Sequence, residues 1–448
     1  MSNLLEVLVT SDSNNTMWTC CLWDPHTGTS LMTYKGGGTS EMKTLCFIGD
    51  DYVAAVEKTR PILHVWPLNS QQTVQGMRFV LPGKANAFSF TKDGTFCAAG
   101  IDEKIYLWQV TSGSLLTIIS RHYQKVNIIK FTRDGQYFIS AAEDGMVMVW
   151  SLAAIATHPE VDLVTQTTAG QHDPVYIISD HSLPVTDLCV SKTGMLGRLC
   201  TVSNDRTCKI YDLTTGDMLL NLIFDVPLTS IAMDVLELNI FVGTTEGGMF
   251  QFSLTNPVRN KDLMMNEDNS LKFSSHTKAI NCISVSLDGE SIMSASNDGK
   301  VILWHIKSRQ PMRTITHKGP ILNAFFSPNP QATYKQDFKP KIVIHSLERT
   351  LEKDNDEITE LEILVNKRIN FWPLQQSKDV ECDKSKELEL EFQNKEAAFK
   401  EELDQLKNIN ASLYAYTIRK TLTTAPKVNN VPTAKNKPKK KKLKTFKS

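Results

Sequence analysis

Histidine, a hydroxyl residue and aspartate recur three times in this 448-residue chain, in the same order and at nearly the same spacing. His122 is followed by Ser140, Asp144 and Trp150; His181 by Thr201, Asp205 and Tyr211; His276 by Ser294, Asp298 and Trp304. A hydroxyl, an imidazole and a carboxylate are the parts of a hydrolase triad, in which the base takes the proton of the nucleophile and the acid orients the base. A triad serves one active site, however, whereas this set is repeated. Buried polar groups must pair, and that requirement alone can fix these residue types in each copy of a structural repeat. The expectation is a hydrogen-bonded brace inside each repeat, with no catalysis.

The elements that must position these residues are short apolar strands ending on an aromatic side chain. The endings are Trp23, Trp66, Trp108, Trp150, Tyr211, Phe252 and Trp304, separated by 43, 42, 42, 61, 41 and 52 residues. A period of about 40–45 residues with a Trp-Asp-like strand ending marks the WD40 β-propeller, one four-stranded blade per repeat. Blades open with strands such as ANAFSFTKDG (85–94), VNIIKFTRDG (126–135), VTDLCVSKTG (185–194) and INCISVSLDG (280–289). Residues 1–23 skip that strand, and PILNAFFSP (320–328) supplies it from the far end of the repeat region. The reading is all-β: a seven-bladed WD40 propeller over 1–328, closed by its C-terminal strand. An eighth, partial blade from 341–349 and 361–372 is the alternative, and it would leave the first blade incomplete. Two blades lack the polar set. Ala98 stands at the hydroxyl spacing beside Asp102, and Glu246 replaces the aspartate before Phe252, so these blades are expected to close by packing.

Two blade intervals are stretched by insertions, near 153–173 and 255–271, each between the third and fourth strands of its blade. Both are expected on one side of the disc, either as solvated loops of tolerated length or as one partner-binding face.

Charge is zero overall but uneven. The balance is −4 over 1–347, −8 over 348–404 and +12 over 405–448. Residues 329–378 carry apolar patches and are expected to pack on the propeller. Residues 379–417 turn helical: Phe392, Phe399, Leu406 and Leu413 recur every seven residues, and Leu403 joins their face. That is one seam of a coiled coil, with Glu396 and Asn410 interrupting the second. It reads as an oligomerisation or partner helix; a lone amphipathic helix on the propeller is the alternative. The end, 418–448, reads as a disordered basic tail in which Lys439, Lys440, Lys441, Lys442 and Lys444 form a nuclear-localisation or nucleic-acid-contacting cluster.

No phosphate-binding glycine loop is present, and neither cysteine nor histidine spacing forms a metal pattern, so no cofactor or metal is expected. No basic leader precedes an apolar run and no stretch approaches 18 apolar residues, so the expectation is a soluble intracellular protein with no membrane contact.

One region is more specific. Within 179–254, Ser179-Asp180-His181, Leu183 through Leu188, Phe224-Asp225-Val226, Met233-Asp234, Glu237, Phe241, Gly243, Glu246, Gly247 and Phe250 resemble the WD repeat-containing protein 18 family. The likeness covers the propeller, and beyond it only the order of helix and lysine-rich end. The resemblance implies a non-enzymatic scaffold of large-ribosomal-subunit biogenesis, in the nucleolus and nucleoplasm. It implies a complex with a helical-repeat scaffold subunit and a testis-expressed-protein-10-like subunit, acting on the pre-60S particle and on processing of the internal transcribed spacer. It also implies a homodimer through the C-terminal helix; RNA contact by the tail would follow from its charge. The alternatives are a chromatin or DNA-replication adaptor, or a substrate receptor of a ubiquitin ligase.

Overall fold

The computed structural model describes residues 5–351, apart from 15–17, 158–172, 256–259, 266–270, 275 and 336. Seven sheets follow one another along the chain, each built on four antiparallel strands. Blade I takes Ile321–Pro328 as its innermost strand, then Glu6–Asp12, Cys20–Trp23 and Ser30–Tyr34. Blade II runs from Cys46–Ile48 to Phe79–Val80, blade III from Ala85–Phe90 to Leu115–Ile119, and blade IV from Val126–Phe131 to Tyr176–Ile178. Blade V runs from Val185–Val190 to Met218–Ile223, blade VI from Leu228–Met233 to Leu271–Ser274, and blade VII from Ile280–Val285 to Pro311–Thr316.

The ring closes through blade I. Glu6–Asp12 pairs with the late strand from Glu6↔Pro328 to Asp12↔Ile321, and all seven of its residues are buried. Without that partner the buried edge of Glu6–Asp12, which carries Val7, Leu8 and Val9, would be exposed, and an unpaired edge strand invites aggregation. The core lies between adjacent sheets, where large side chains from neighbouring blades interleave. Ile105, Leu107 and Ile119 of blade III pack on Phe138 and Trp150 of blade IV, the last two rings stacked at 6.0 Å. Between innermost and second strands, a Thr-Lys/Arg-Asp-Gly turn fits because Gly94 and Gly135 sit at φ of +72° and +69°, where a side chain would be strained.

The insertions differ from one another. After Trp150 the chain forms a short helix, Leu152–Thr157, before the undescribed stretch, and Tyr176 beyond it donates to the Thr214 carbonyl of blade V at 2.7 Å. The blade VI insertion does not simply project. Its strand Asp262–Met264 pairs in parallel with Met218–Ile223, the outer edge of blade V, with Asn221 donating to Asp262 at 2.8 Å and Met265 buried beneath. An exposed edge of backbone donors and acceptors is thereby covered.

Beyond the closing strand the chain crosses blades I to III as a strap without regular strand. Residues 341–349 therefore build no eighth blade. Ala332 joins the core between blades I and II, while Ile344 and Leu347 join the core of blades II and III. Asp51 accepts hydrogen bonds from the backbone of Lys341 and Ile342 at 2.6 and 2.8 Å, and Tyr52 donates to the Ile342 carbonyl at 3.1 Å. Gly113 has no room for a Cβ because the Ser346 carbonyl lies against it, which explains glycine in that turn. Among the described residues no helix is long and apolar enough to cross a membrane.

Candidate functional site

The three polar sets each converge inside one blade. In blade IV, His122 Nδ1 lies 3.0 Å from Asp144 Oδ2 and Nε2 lies 2.8 Å from Ser140 Oγ, while the Trp150 indole donates to that same Oγ at 2.9 Å. Blade VII repeats the pattern: His276 to Asp298 at 2.9 Å, His276 to Ser294 at 2.8 Å, Trp304 to Ser294 at 2.8 Å. In blade V, His181 meets Asp205 at 2.9 Å and Thr201 at 2.8 Å, and Tyr211 instead donates to Asp180 at 3.0 Å.

An ionised carboxylate can only accept, so the direction of each chain is determined. The histidine Nδ1–H donates to aspartate; with the imidazole neutral, the serine or threonine O–H donates to Nε2, and in blades IV and VII the hydroxyl oxygen accepts the indole N–H. Burial alone would raise the Asp144 carboxyl. The bond from His122 and the backbone N–H groups of Met146 and Tyr123 outweigh it and hold the group below the ordinary carboxylate range. Asp298 is lowered by the corresponding bonds from His276, Lys300 and Thr277 against the same cost of burial. Asp205 is lowered further, because Thr207 adds a side-chain bond to that from His181.

The order hydroxyl, imidazole, carboxylate is that of a nucleophile triad. Here it cannot act as one. Ser140, Thr201 and Ser294 are 0% exposed, so no substrate reaches the oxygen, and in blades IV and VII its lone pair is already taken by an indole. The thiols are no better placed: burial pushes Cys21 and Cys46 up to about 12, far from thiolate at neutral pH. Among the described residues no cluster of His, Cys, Asp and Glu could hold a metal ion.

The other blades show what the hydroxyl is for. In ladder register the residue corresponding to Ser140 lies opposite the position two before the aromatic ring. By that rule it is Thr10 in blade I, Ala55 in blade II, Ala99 in blade III and Val242 in blade VI. Sequence spacing points to Ala98 in blade III, and register corrects it to Ala99, because the turn at Asp102 and Glu103 is a residue shorter than that of blade IV. Where the hydroxyl exists the indole uses it, as Trp23 does with Thr10 at 2.7 Å. Where alanine replaces it, the indole reaches outside its blade: Trp66 donates to the Lys35 carbonyl at 2.8 Å, and Trp108 to the Glu348 carbonyl of the strap at 2.7 Å. Blade III therefore does not close by packing alone. Glu348 also receives Leu115 N–H at 3.1 Å and donates its own N–H to Gly113 at 3.0 Å. Blade VI ends on Phe252, which has no donor to satisfy, opposite a strand that offers Val242. Blade I holds a partial set, with His317 3.7 Å from Asp12 and no hydrogen bond between them among the described residues.

Sequence reading missed a second lacing around the central channel. In blades III to VII the innermost strand carries a β-bulge at Asn86, Asn127, Thr186, Thr229 and Asn281. A bulge leaves a residue out of the ladder and re-aims its side chain. Asn127 donates to the Val185 carbonyl at 3.1 Å, Thr186 to Leu228 at 2.9 Å, Thr229 to Ile280 at 2.6 Å and Asn281 to Ile321 at 2.6 Å, each the next blade's first inner residue. Asn323 then ties blade I to blade II, meeting Ser11 and Ser40 hydroxyls, the Glu41 carbonyl and the Thr44 N–H. The signal was present in ANAFSF, VNIIKF, VTDLCV, LTSIAM and INCISV, whose second residue is always Asn or Thr. Lys43 of blade II crosses the channel instead, donating to Thr186 and Thr229 carbonyls at 2.9 and 3.2 Å beside Asp187 at 3.2 Å.

The heptad positions Phe392, Phe399, Leu403, Leu406 and Leu413 and the cluster Lys439, Lys440, Lys441, Lys442 and Lys444 lie outside the described residues.

Comparison with known proteins fits this geometry. The family described as "WD domain, G-beta repeat" matches residues 113–151, 172–212 and 268–305. Those windows contain the three complete His–hydroxyl–Asp sets, whereas Ala55, Ala99 and Val242, which stand at the hydroxyl position in blades II, III and VI, lie outside them. The chain is 35% identical over 353 residues to WD repeat-containing protein 18 of Danio rerio, covering 78% of this chain and 80% of the relative. It is 34% identical over 344 residues to WD repeat-containing protein 18 of Homo sapiens, covering 76% and 77%. It is 27% identical over 335 residues to pre-rRNA-processing protein pro-1 of Caenorhabditis elegans, covering 72% and 61%.

Proposed function

Because the chain belongs to the WD repeat-containing protein 18 family, we propose that it is a non-catalytic scaffold of pre-rRNA processing, working in the nucleus during large-subunit assembly. The observation that carries the reading is likeness over nearly the whole propeller to that family together with likeness to a pre-rRNA-processing protein. The inward-facing polar sets support the non-catalytic part, since they are consumed in bracing blades.

In this reading the disc docks a helical-repeat subunit and a testis-expressed-protein-10-like subunit on the pre-60S particle. The heptad of Phe392, Phe399, Leu403, Leu406 and Leu413 joins two copies, and Lys439–Lys442 with Lys444 carry the protein to the nucleolus and touch RNA phosphates. The support is sequence order and composition, an acidic heptad segment followed by a tail of charge +12 over 405–448.

Depletion of the protein with probing of rRNA precursors tests the core claim. Precursors extending into the second internal transcribed spacer should accumulate and affinity-purified protein should bring down pre-60S components. Normal precursor levels after depletion would remove the assignment.

A further inference from the structure

The bulge lacing has one gap, and it faces a cavity. Four of the five bulge side chains donate to the next blade, but Asn86 of blade III makes no such bond. Its carboxamide is half-buried at the mouth of the central channel, a cavity of about 280 Å³ shared with Lys125, Met42 and Glu41. Lys125 is exposed there and forms no ion pair among the described residues. Below the mouth, Lys43 and Lys130 share a single carboxylate, Asp187, at 3.2 and 3.6 Å. The channel floor therefore carries one more positive than negative charge, within a wall where fields are poorly screened. Glu41 has its Oε1 turned to its own loop, accepting Met42 N–H at 3.2 Å.

We infer that this mouth is an acceptor site for a single carboxylate, the side chain of an aspartate or glutamate presented on a loop of a partner protein. Asn86 Nδ2 and Lys125 Nζ donate to the two carboxylate oxygens, and the excess charge at Lys43, Lys130 and Asp187 draws the anion inward. Charge-assisted bonds of this kind are the stronger class. The volume lies below the roughly 300–1,000 Å³ typical of cofactor and drug-sized ligands, which suits one side chain. A phosphodiester brings a sugar on each side of its anion and is a poorer fit. The site stands on channel geometry alone and is independent of the rRNA-processing assignment.

The test uses the full chain and a fluorescein-labelled, photo-crosslinkable hexaglutamate peptide. Among the described residues the side chains of Asn86 and Lys125 have no partners to lose, so N86D/K125E should melt like the wild type. It should bind the peptide about a hundredfold more weakly, the loss expected when two hydrogen bonds to a carboxylate are removed. Crosslinks at Met42 and its neighbours should vanish, while those on the lysine-rich tail persist. Lys92→Glu, in a turn on the opposite face of blade III, should change neither. Equal binding by N86D/K125E, crosslinks confined to the tail, or displacement of the peptide from the mouth by an oligouridylate would each overturn the proposal, the last by making this a phosphate site.

Discussion

Blades IV and VII keep their indole donors at home, whereas blades II and III send theirs abroad. The difference comes down to one atom: Ser140 and Ser294 offer an oxygen where Ala55 and Ala99 offer none. A buried N–H left without a partner costs about 1–3 kcal/mol, so Trp66 and Trp108 each need a carbonyl from outside their sheet. Blade III obtains it from residue 348, far along the chain. A blade that braces itself can stand alone in the ring, but one that borrows its brace ties a later segment to the disc.

Each half of that contrast can be pressed until it fails. The largest effect should come from ending the chain at residue 315. This removes the innermost strand of blade I and exposes Glu6–Asp12, and the ring should lose cooperative unfolding in calorimetry; a chain ending at 378 should melt like the full protein. If 1–315 melted like 1–378, ring closure would have to be reassigned.

Ending the chain at 328 instead keeps the closing strand and deletes the strap. Ile344 and Leu347 alone contribute about 3–6 kcal/mol if burial is complete, and Trp108 loses its acceptor. Amide exchange should therefore speed up in Phe79–Leu115 and much less in blades IV to VII. Uniform acceleration around the ring would show that the strap stabilises the whole disc.

His122→Ala strikes a self-braced blade. It takes the acceptor from the Ser140 O–H and the imidazole donor from Asp144, leaving only the Trp150 indole and the Met146 and Tyr123 N–H groups, and should cost about 2–3 kcal/mol. The carboxyls of Asp144, Asp205 and Asp298 sit below the unfolded value of about 3.9. Their contribution is thus complete above that pH and is lost as pH falls through the folded values. Stability measured against pH should accordingly be flatter below about pH 4 in H122A than in the wild type; an unchanged slope would mean that other carboxylates dominate.

The smallest effect is the most pointed. Ala99→Ser offers Trp108 an acceptor inside its own sheet, and stability should change by less than about 1 kcal/mol. Combined with loss of the strap, however, it should recover part of the damage in blade III. Strict additivity of the two changes would show that the Trp108–Glu348 contact carries no weight.

The period of the aromatic strand endings was legible because each ends a third strand whose ring packs between sheets, which admits few residue types. The closing strand was legible because residues 1–23 begin out of phase with the repeat. The polar sets could be told from a catalytic site by repetition alone. The bulge lacing went unread because Asn and Thr at a strand's second position look like ordinary solvated residues until the bulge turns them toward the next blade. Ala98 was mistaken for Ala99 because counting from the aromatic ring assumes a constant turn length, and the turn at Asp102 is shorter. That the chain beyond the closing strand packs on the propeller was legible from its apolar patches, but the form of that packing was not: residues 341–349 alternate like a strand, yet their backbone partners are turns and an indole, which no periodicity announces.

Closure by residues 321–328 has a consequence in time. During synthesis the strand Glu6–Asp12 emerges early, and its partner follows only after the intervening blades have been made. At about 5–20 residues per second that wait is roughly 15–60 s. Throughout it, the first-made sheet exposes the valines and leucine that the finished ring buries completely, Val7, Leu8 and Val9. The nascent propeller is thus most vulnerable in its first-made strand, and a chaperone acting on this protein would be needed there, holding one short segment until the last blade is delivered.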